Sequence, residues 1–171
     1  MRSVRAAVLI PIRPVADVGP VMTMIRRTVG GTHSGQMAFP GGRHDGGRDR
    51  SLLDTALRES AEEVGLDPRH VEVVGALPER RTLSSDFVVT PFVARIPEPY
   101  VFVPEAHEVA RIVDAPLAAF RDPARRVDYE WRYGTRVFRV PSVLVDGEVV
   151  WGLSLAIIDD LLASSLAPPL R

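Results

Sequence analysis

The 171-residue sequence contains no cysteine, no lysine and no asparagine, so all 21 of its basic residues are arginine. Without cysteine there is no thiol nucleophile, no thiolate-held zinc or iron–sulfur cluster and no disulfide framework. Without lysine there is no Schiff base and no lysine of a phosphate-binding loop. Any phosphate that this chain holds must be held by arginine, by backbone N–H groups or through a metal ion. An excess of one charge is lacking too. The arginines face 22 Asp and Glu, and a formal net charge of −1 gives no overall attraction to nucleic acid or to an anionic membrane. No apolar run approaches the roughly 18–20 residues of a membrane helix. Met1-Arg2-Ser3-Val4-Arg5 leads straight into strand-like alternation, not into the apolar core of a signal peptide. These exclusions leave a cytoplasmic globular protein as the expectation.

What is present reads as an α/β chain. At 46% apolar residues and this length, one domain spanning 1–171 is expected, burying on the order of 70% of the surface of the unfolded chain. Val4 to Ile12 reads as a buried strand that ends at Pro11 and Pro14, and Val21 to Ile25 as a second apolar run. A polar, glycine-rich stretch from Gly30 to Gln36 follows, then Met37-Ala38-Phe39-Pro40-Gly41-Gly42 and a turn at Gly46-Gly47. Val71–Leu77, Phe87–Ile96, Val109–Val113 and Val137–Val145 are strand candidates, and Asp146-Gly147 marks a turn before Val149-Val150-Trp151. Leu153 to Leu162 reads as an apolar helix, with Trp151 expected in the core. Pro97–Pro104 has little pattern and suits either a substrate-side loop or an oligomer contact. Strands outnumber helices, as in a layered domain with a mixed sheet.

Ser51 to Leu66 carries the densest chemistry. Ser51 followed by Asp54 resembles a capping box with Asp in place of Glu, and Gly65 stands where a glycine closes a helix. At about 100° per residue, Leu53, Leu57, Ser60 and Val64 fall in one arc, flanked by Ala56 and Ala61. Glu59, Glu62 and Glu63 share an arc on the opposite side. Like charges at such spacing cost a bare helix about 0.2–0.5 kcal/mol per pair, and Arg58 before Glu62 is the less favourable order for an ion pair. Two readings stand open: a solvated helix face, or three hard oxygen ligands for Mg²⁺ or Mn²⁺.

The letters around this helix resemble the Nudix box, G-x5-E-x7-R-E-U-x-E-E-x-G-U with U aliphatic. Arg58-Glu59, Glu62-Glu63 and Gly65-Leu66 match, and Ser60 departs mildly at the first aliphatic position. Between Gly42 and Arg58 the chain is two residues longer than the general motif, and Arg50 stands where the earlier glutamate would fall. In the family that glutamate supports the arginine of the box. Here Asp45 or Asp49 could replace it from the lengthened loop. Upstream, Arg26 to Gly42 is similar to the extra motif of the coenzyme A diphosphatase branch, L-L-T-x-R-(S/A)-x3-R-x3-G-x3-F-P-G-G. Arg26, Gly35, Phe39, Pro40, Gly41 and Gly42 fit. Met22-Thr23-Met24 loosely replaces the aliphatic start, Arg27 stands for Ser or Ala, and Gly31 stands where a second Arg is expected. Thr90-Pro91-Phe92-Val93, Glu108-Val109 and Val150-Trp151-Gly152-Leu153 also look like segments of this branch.

The resemblance implies an α/β/α sandwich around a mixed β-sheet and a metal-dependent hydrolase. Its implied reaction cleaves the diphosphate of coenzyme A or acyl-CoA, a small-molecule substrate, to 3′,5′-ADP and 4′-phosphopantetheine or its acyl form. Mg²⁺ or Mn²⁺ would be held by Glu59, Glu62 and Glu63, Glu62 or Glu63 would serve as general base, and Arg58 would orient the carboxylates. Arg26, Arg27, His33, Gly35, Phe39, Gly41 and Gly42 are the implied substrate-binding residues, with Arg27 compensating in part for the arginine missing at Gly31. Plainer roles exist for each: a strand-end charge for Arg26, a hydrogen-bonding loop residue for His33, a simple turn for Phe39 to Gly42. Two rival functions are a Nudix diphosphatase for ADP-ribose, a dinucleotide or a nucleoside triphosphate, and a non-enzymatic Nudix-fold binding module. No nucleic-acid or membrane partner is implied. A homodimer is compatible with the sequence, which does not choose an oligomeric state.

Overall fold

A computed structural model describes residues 3–29, 35–82 and 86–169. His33 and Gly31 lie outside the described residues, as does most of the glycine-rich stretch before Gly35. In chain order the elements are β1 (Val4–Val15), β2 (Gly19–Arg27), β3 (Met37–Ala38), β4 (Gly41–Arg43), α1 (Leu52–Val64), β5 (Glu72–Ala76), β6 (Arg80–Arg81) and β7 (Phe87–Arg95). Then follow β8 (Val109–Pro116), β9 (Arg126–Tyr133), β10 (Arg136–Val145), β11 (Glu148–Trp151) and α2 (Gly152–Ala163). The main sheet runs β3-β2-β1-β7-β5, with β4 also on β1, β6 on β7 and β8 on β2. Only β1 and β7 among its pairs are parallel, which makes the sheet mixed. A second sheet has the order β11-β10-β9.

Alternation along the strands sorts the core into two layers. On β1, Leu9 packs with Ala56 and Val64 of α1, while its neighbour Ile10 packs in the cluster that holds Leu155, Ile158 and Leu161 of α2. On β2, Ile25 joins the α1 layer, whereas Met22 and Met24 join the α2 layer. The two helices therefore cover opposite faces of the sheet, the expected α/β/α sandwich. Val143, Val145 and Val150 of the small sheet belong to the α2 layer, so one apolar cluster joins the two sheets.

β1 does not stop at Pro11; it continues through both prolines to Val15. The Leu9 N–H donates to Pro40 O, and Pro11 faces the same edge two residues on, after β1 has left β4 at Val8 and before it meets β2 at Ile12. No partner strand there requires an N–H, so proline costs the ladder nothing. The sequence reading also passed over β9, whose charged and aromatic residues alternate from Arg126 to Tyr133. Pro97–Pro104, open between a substrate-side loop and an oligomer contact, packs against the acidic helix. It closes the end of α1, where Val103 N donates to Val64 O at 3.0 Å and Glu105 N to Glu63 O at 2.8 Å. The Tyr100 hydroxyl adds a hydrogen bond to Gly65 O at 3.1 Å.

Candidate active site

The acidic helix begins and ends as its sequence dictates. Ser51 is the N-cap, its hydroxyl accepting from the Asp54 N–H at 3.1 Å. Gly65 takes the left-handed conformation, φ 65°, and its N–H returns to Ala61 O while Leu66 N returns to Ser60 O. The buried side differs from the arc expected. It consists of Thr55, Ala56, Ser60, Glu63 and Val64, with Leu53 and Leu57 only half-buried. Small residues at 56 and 60 let the helix lie close to β1, and Glu63 turns inward with them.

The three glutamates are thus not one solvated face. Glu63 is 2% exposed and accepts from the Gly41 N–H at 2.9 Å. Arg27 reaches the same carboxylate from β2, at 3.2 and 3.3 Å. Burial pushes the Glu63 carboxyl up to about 7, and Arg27 and the Gly41 N–H only partly offset this. Glu59 lies against Gly42: a β-carbon added there would fall 2.5 Å from the Glu59 carboxyl carbon. Glu62 points outward and accepts from Arg48 at 2.7 Å and Arg58 at 3.0 Å. Gly41 is required for a related reason, since at φ 154° its added β-carbon would fall 2.3 Å from Ala7 O.

Arg58 is the hub of this cluster. It contacts Glu59 at 2.8 Å as well as Glu62, and binds Asp49 through two hydrogen bonds of 2.8 and 3.0 Å. Asp49 also accepts from the Thr55 hydroxyl at 2.9 Å and the Asp45 N–H at 3.1 Å. The Arg58 hydrogen bonds hold the Asp49 carboxyl well below the usual range, against the opposing effect of burial. Asp49, not Asp45, is therefore the carboxylate that supports Arg58. Asp45 shapes the turn instead, accepting from the N–H groups of Gly47, Arg48 and Asp49. Arg50, where the motif would put the glutamate, extends into solvent.

The remaining predicted residues divide. Arg26 is apart from the carboxylates and pairs with Glu148 at 3.5 Å. Phe39 is 2% exposed and packs within the α2-side core. Gly35, φ 70°, lines a cleft of about 400 Å³ together with Gln36, Tyr129, Trp131, Glu148 and Trp151. Trp151 is accordingly half-buried on a cleft wall and not a core residue. Sequence reasoning missed Tyr129 and Trp131, although the alternation of β9 marks both for one face.

As a metal site the cluster has the right chemistry. Carboxylate oxygens suit a hard divalent cation, and Glu63 is a buried carboxylate short of positive charge. The three carboxylates are nevertheless shared out among Arg27, Arg48 and Arg58. Among the described residues, no three acidic or histidine groups stand close enough to hold one ion as arranged. No helix among the described residues is long and apolar enough to cross a membrane.

Helices on both faces of a mixed sheet thus enclose an arginine-knit glutamate cluster packed against a glycine pair. Comparison with known proteins gives the family. Residues 3–131 match the NUDIX domain, and the chain belongs to the Nudix hydrolases, which act on pyrophosphate bonds and generally need divalent metal ions. It is 38% identical over 158 residues to the protein called uncharacterized Nudix hydrolase NudL of Pectobacterium atrosepticum, covering 92% of this chain and 80% of that one. The protein of the same name in Yersinia enterocolitica is 39% identical over 157 residues, covering 90% and 77%. Among solved structures, a Nudix hydrolase from M. smegmatis, RenU, superposes with a TM-score of 0.67 at 19% identity, covering 99% of this chain and 89% of that chain. A C. elegans Ap4A hydrolase superposes at 0.56 and 19% identity, covering 67% and 81%. At such identities the structures attest the fold.

Proposed function

We propose that this chain is a single-domain cytoplasmic hydrolase that cleaves the diphosphate of coenzyme A or acyl-CoA, releasing 3′,5′-ADP and (acyl-)4′-phosphopantetheine. One observation carries the reading: the end of the upstream motif and the acidic helix form one site. The Gly41 N–H is on Glu63, and Gly42 lies against Glu59. The glycine pair that ends the upstream motif also opens the general box, and Arg27 of the upstream stretch reaches Glu63 as well.

Glu59, Glu62 and Glu63 would hold Mg²⁺ or Mn²⁺, which supplies positive charge to the diphosphate and lowers the pKa of a bound water. Arg58, fixed by Asp49, orients Glu59 and Glu62. Glu62 or Glu63 takes the proton of the attacking water. Arg27, 29% exposed beside Glu63, and Arg26, 42% exposed at the same strand end, would contact phosphate. Phosphoryl transfer asks chiefly for positioning and charge neutralisation, which these groups provide.

A second reading, hydrolysis of ADP-ribose, a dinucleotide or a nucleoside triphosphate, draws on the departures at Arg27 and Gly31. The purified protein should be assayed with Mg²⁺, with Mn²⁺ and with a chelator on CoA, NADH, ADP-ribose and dinucleotides. Metal-dependent release of 3′,5′-ADP from CoA is expected. Turnover of ADP-ribose with CoA untouched would make the second reading correct.

A further inference from the structure

The aromatic cleft has no part in the chemistry at α1. Three rings form its wall: Tyr129 and Trp151 at 5.4 Å between centroids, Trp131 and Trp151 at 5.5 Å, all tilted and not stacked face to face. Tyr129 is 36% exposed, enough to offer a ring face outside the core. Glu148 completes the wall and binds two guanidinium groups, Arg26 at 3.5 Å and Arg111 at 3.2 Å, and Arg111 is paired with the Asp146 carboxylate as well. The cleft's roughly 400 Å³ falls in the range of small-ligand sites.

The end of β2 connects this cleft to the acidic helix. Arg26 and Arg27 are adjacent, yet Arg26 reaches Glu148 and Arg27 reaches Glu63. A β-bulge falls between them. The Arg27 N–H also donates to the carbonyl of Gln36, which lines the cleft. One short stretch of backbone thus carries a cation toward each place.

We infer that the cleft is the purine-nucleotide subsite. The base stacks on Tyr129, Trp131 and Trp151, and Arg26 and Arg111 at the Glu148 wall contact a phosphate on the ribose. The chemistry suits such a ligand: aromatic faces for a planar heterocycle, and two guanidinium groups that would exchange part of their pairing with Glu148 and Asp146 for a phosphate. The inference rests on the proposed diphosphatase reading and assigns the ends of the substrate, with the adenosine end toward the small sheet.

The chain's only tryptophans are Trp131 and Trp151, so intrinsic fluorescence reports on this cleft without any turnover. Titration of the intact protein with 3′,5′-ADP should change the emission saturably. 5′-AMP should bind more weakly for want of the second phosphate, and 4′-phosphopantetheine should leave the emission unchanged. Tyr129→Leu should weaken 3′,5′-ADP binding about tenfold, the scale of one lost stacking contact, while Tyr129→Phe should keep it. Arg111→Ala should narrow the preference for 3′,5′-ADP over 5′-AMP. An emission indifferent to every adenine nucleotide, or a Tyr129→Leu protein that folds and binds as wild type does, overturns the inference. So does an emission that responds only to dilution of the protein, which would assign the wall to a second copy of the chain. The two readings fail separately. CoA turnover with a silent cleft refutes the subsite alone, and nucleotide binding without CoA turnover refutes the substrate alone.

Discussion

Replacing Asp49 with asparagine should remove the support of Arg58 while leaving the shape of the loop. The Asp49 side chain is only 2% exposed and receives two hydrogen bonds from the guanidinium, one from Thr55 and one from the Asp45 N–H. Removing one partner of a buried ion pair costs about 3–5 kcal/mol. Arg58 keeps Glu59 and Glu62 as acceptors and is 17% exposed, so the cost falls at or just below the bottom of that scale, about 2–3 kcal/mol. At roughly 2–4 °C per kcal/mol for a chain of this size, Tm should fall by about 5–10 °C. The pH dependence follows from the direction of the shift. The folded carboxyl lies below the unfolded one, which titrates at about 3.9, so its contribution is complete above that value and is lost as the pH falls through the folded one. Thermal or urea denaturation of wild type and Asp49→Asn should therefore show a constant gap from pH 8 to pH 5 that narrows below about pH 4. Stability within 0.5 kcal/mol of wild type at pH 7, a bound on the order of an ordinary surface substitution, would refute the pairing as the structural replacement for the family glutamate.

Glu63→Gln should abolish turnover while preserving the fold; wild-type-like rates would sink its assignment as a metal ligand. With a chelator present, the same variant should gain stability over wild type as the pH rises from about 4.5 to about 7 and hold that gain above, because over this range the unfolded carboxyl ionises while the buried one stays protonated. A pH series of melting temperatures without that divergence would contradict the burial of an ionisable carboxyl. Gly41→Ala drives a β-carbon into the Ala7 backbone and should destabilise the fold severely, as read by denaturation. Gly42→Ala meets only the end of the Glu59 side chain, so calorimetric titration with Mn²⁺ should show weakened binding at a near-normal Tm. Arg27→Ala should raise KM for CoA, and an unchanged KM would remove Arg27 from phosphate recognition.

Local rules wrote much of this structure visibly into the sequence. Ser51, Asp54 and Gly65 delimit α1 because caps depend on a few adjacent residues, and Asp146-Gly147 makes its turn with both residues at positive φ for the same reason. What depends on distant partners was not legible. The inward turn of Glu63 requires an N–H from Gly41 and a guanidinium from Arg27, neither of which a helical wheel contains. The choice of Asp49 over Asp45 was settled by reach to Arg58 across a loop longer than the family's. Pro11 looked like a strand end because its missing donor is a local fact, whereas the gap in pairing that excuses it is a tertiary one. β9 was overlooked although its alternation is regular, since its charged residues masked the aromatic face they interleave.

The segment from Tyr100 to Glu105 has no regular secondary structure, yet its amides at 103 and 105 are bonded to carbonyls of the last turn of α1. Those bonds satisfy carbonyls that the last turn of a helix leaves free, and they couple the segment to the helix end. In hydrogen exchange the amides of Val103 and Glu105 should carry the protection of the helix and not of a loop. The backbone carbonyl of Glu63 is held by one of these bonds, so anything that loosens this stretch loosens a residue proposed above to hold the metal. Substitutions tens of residues away from the box can thus reset its order without touching it.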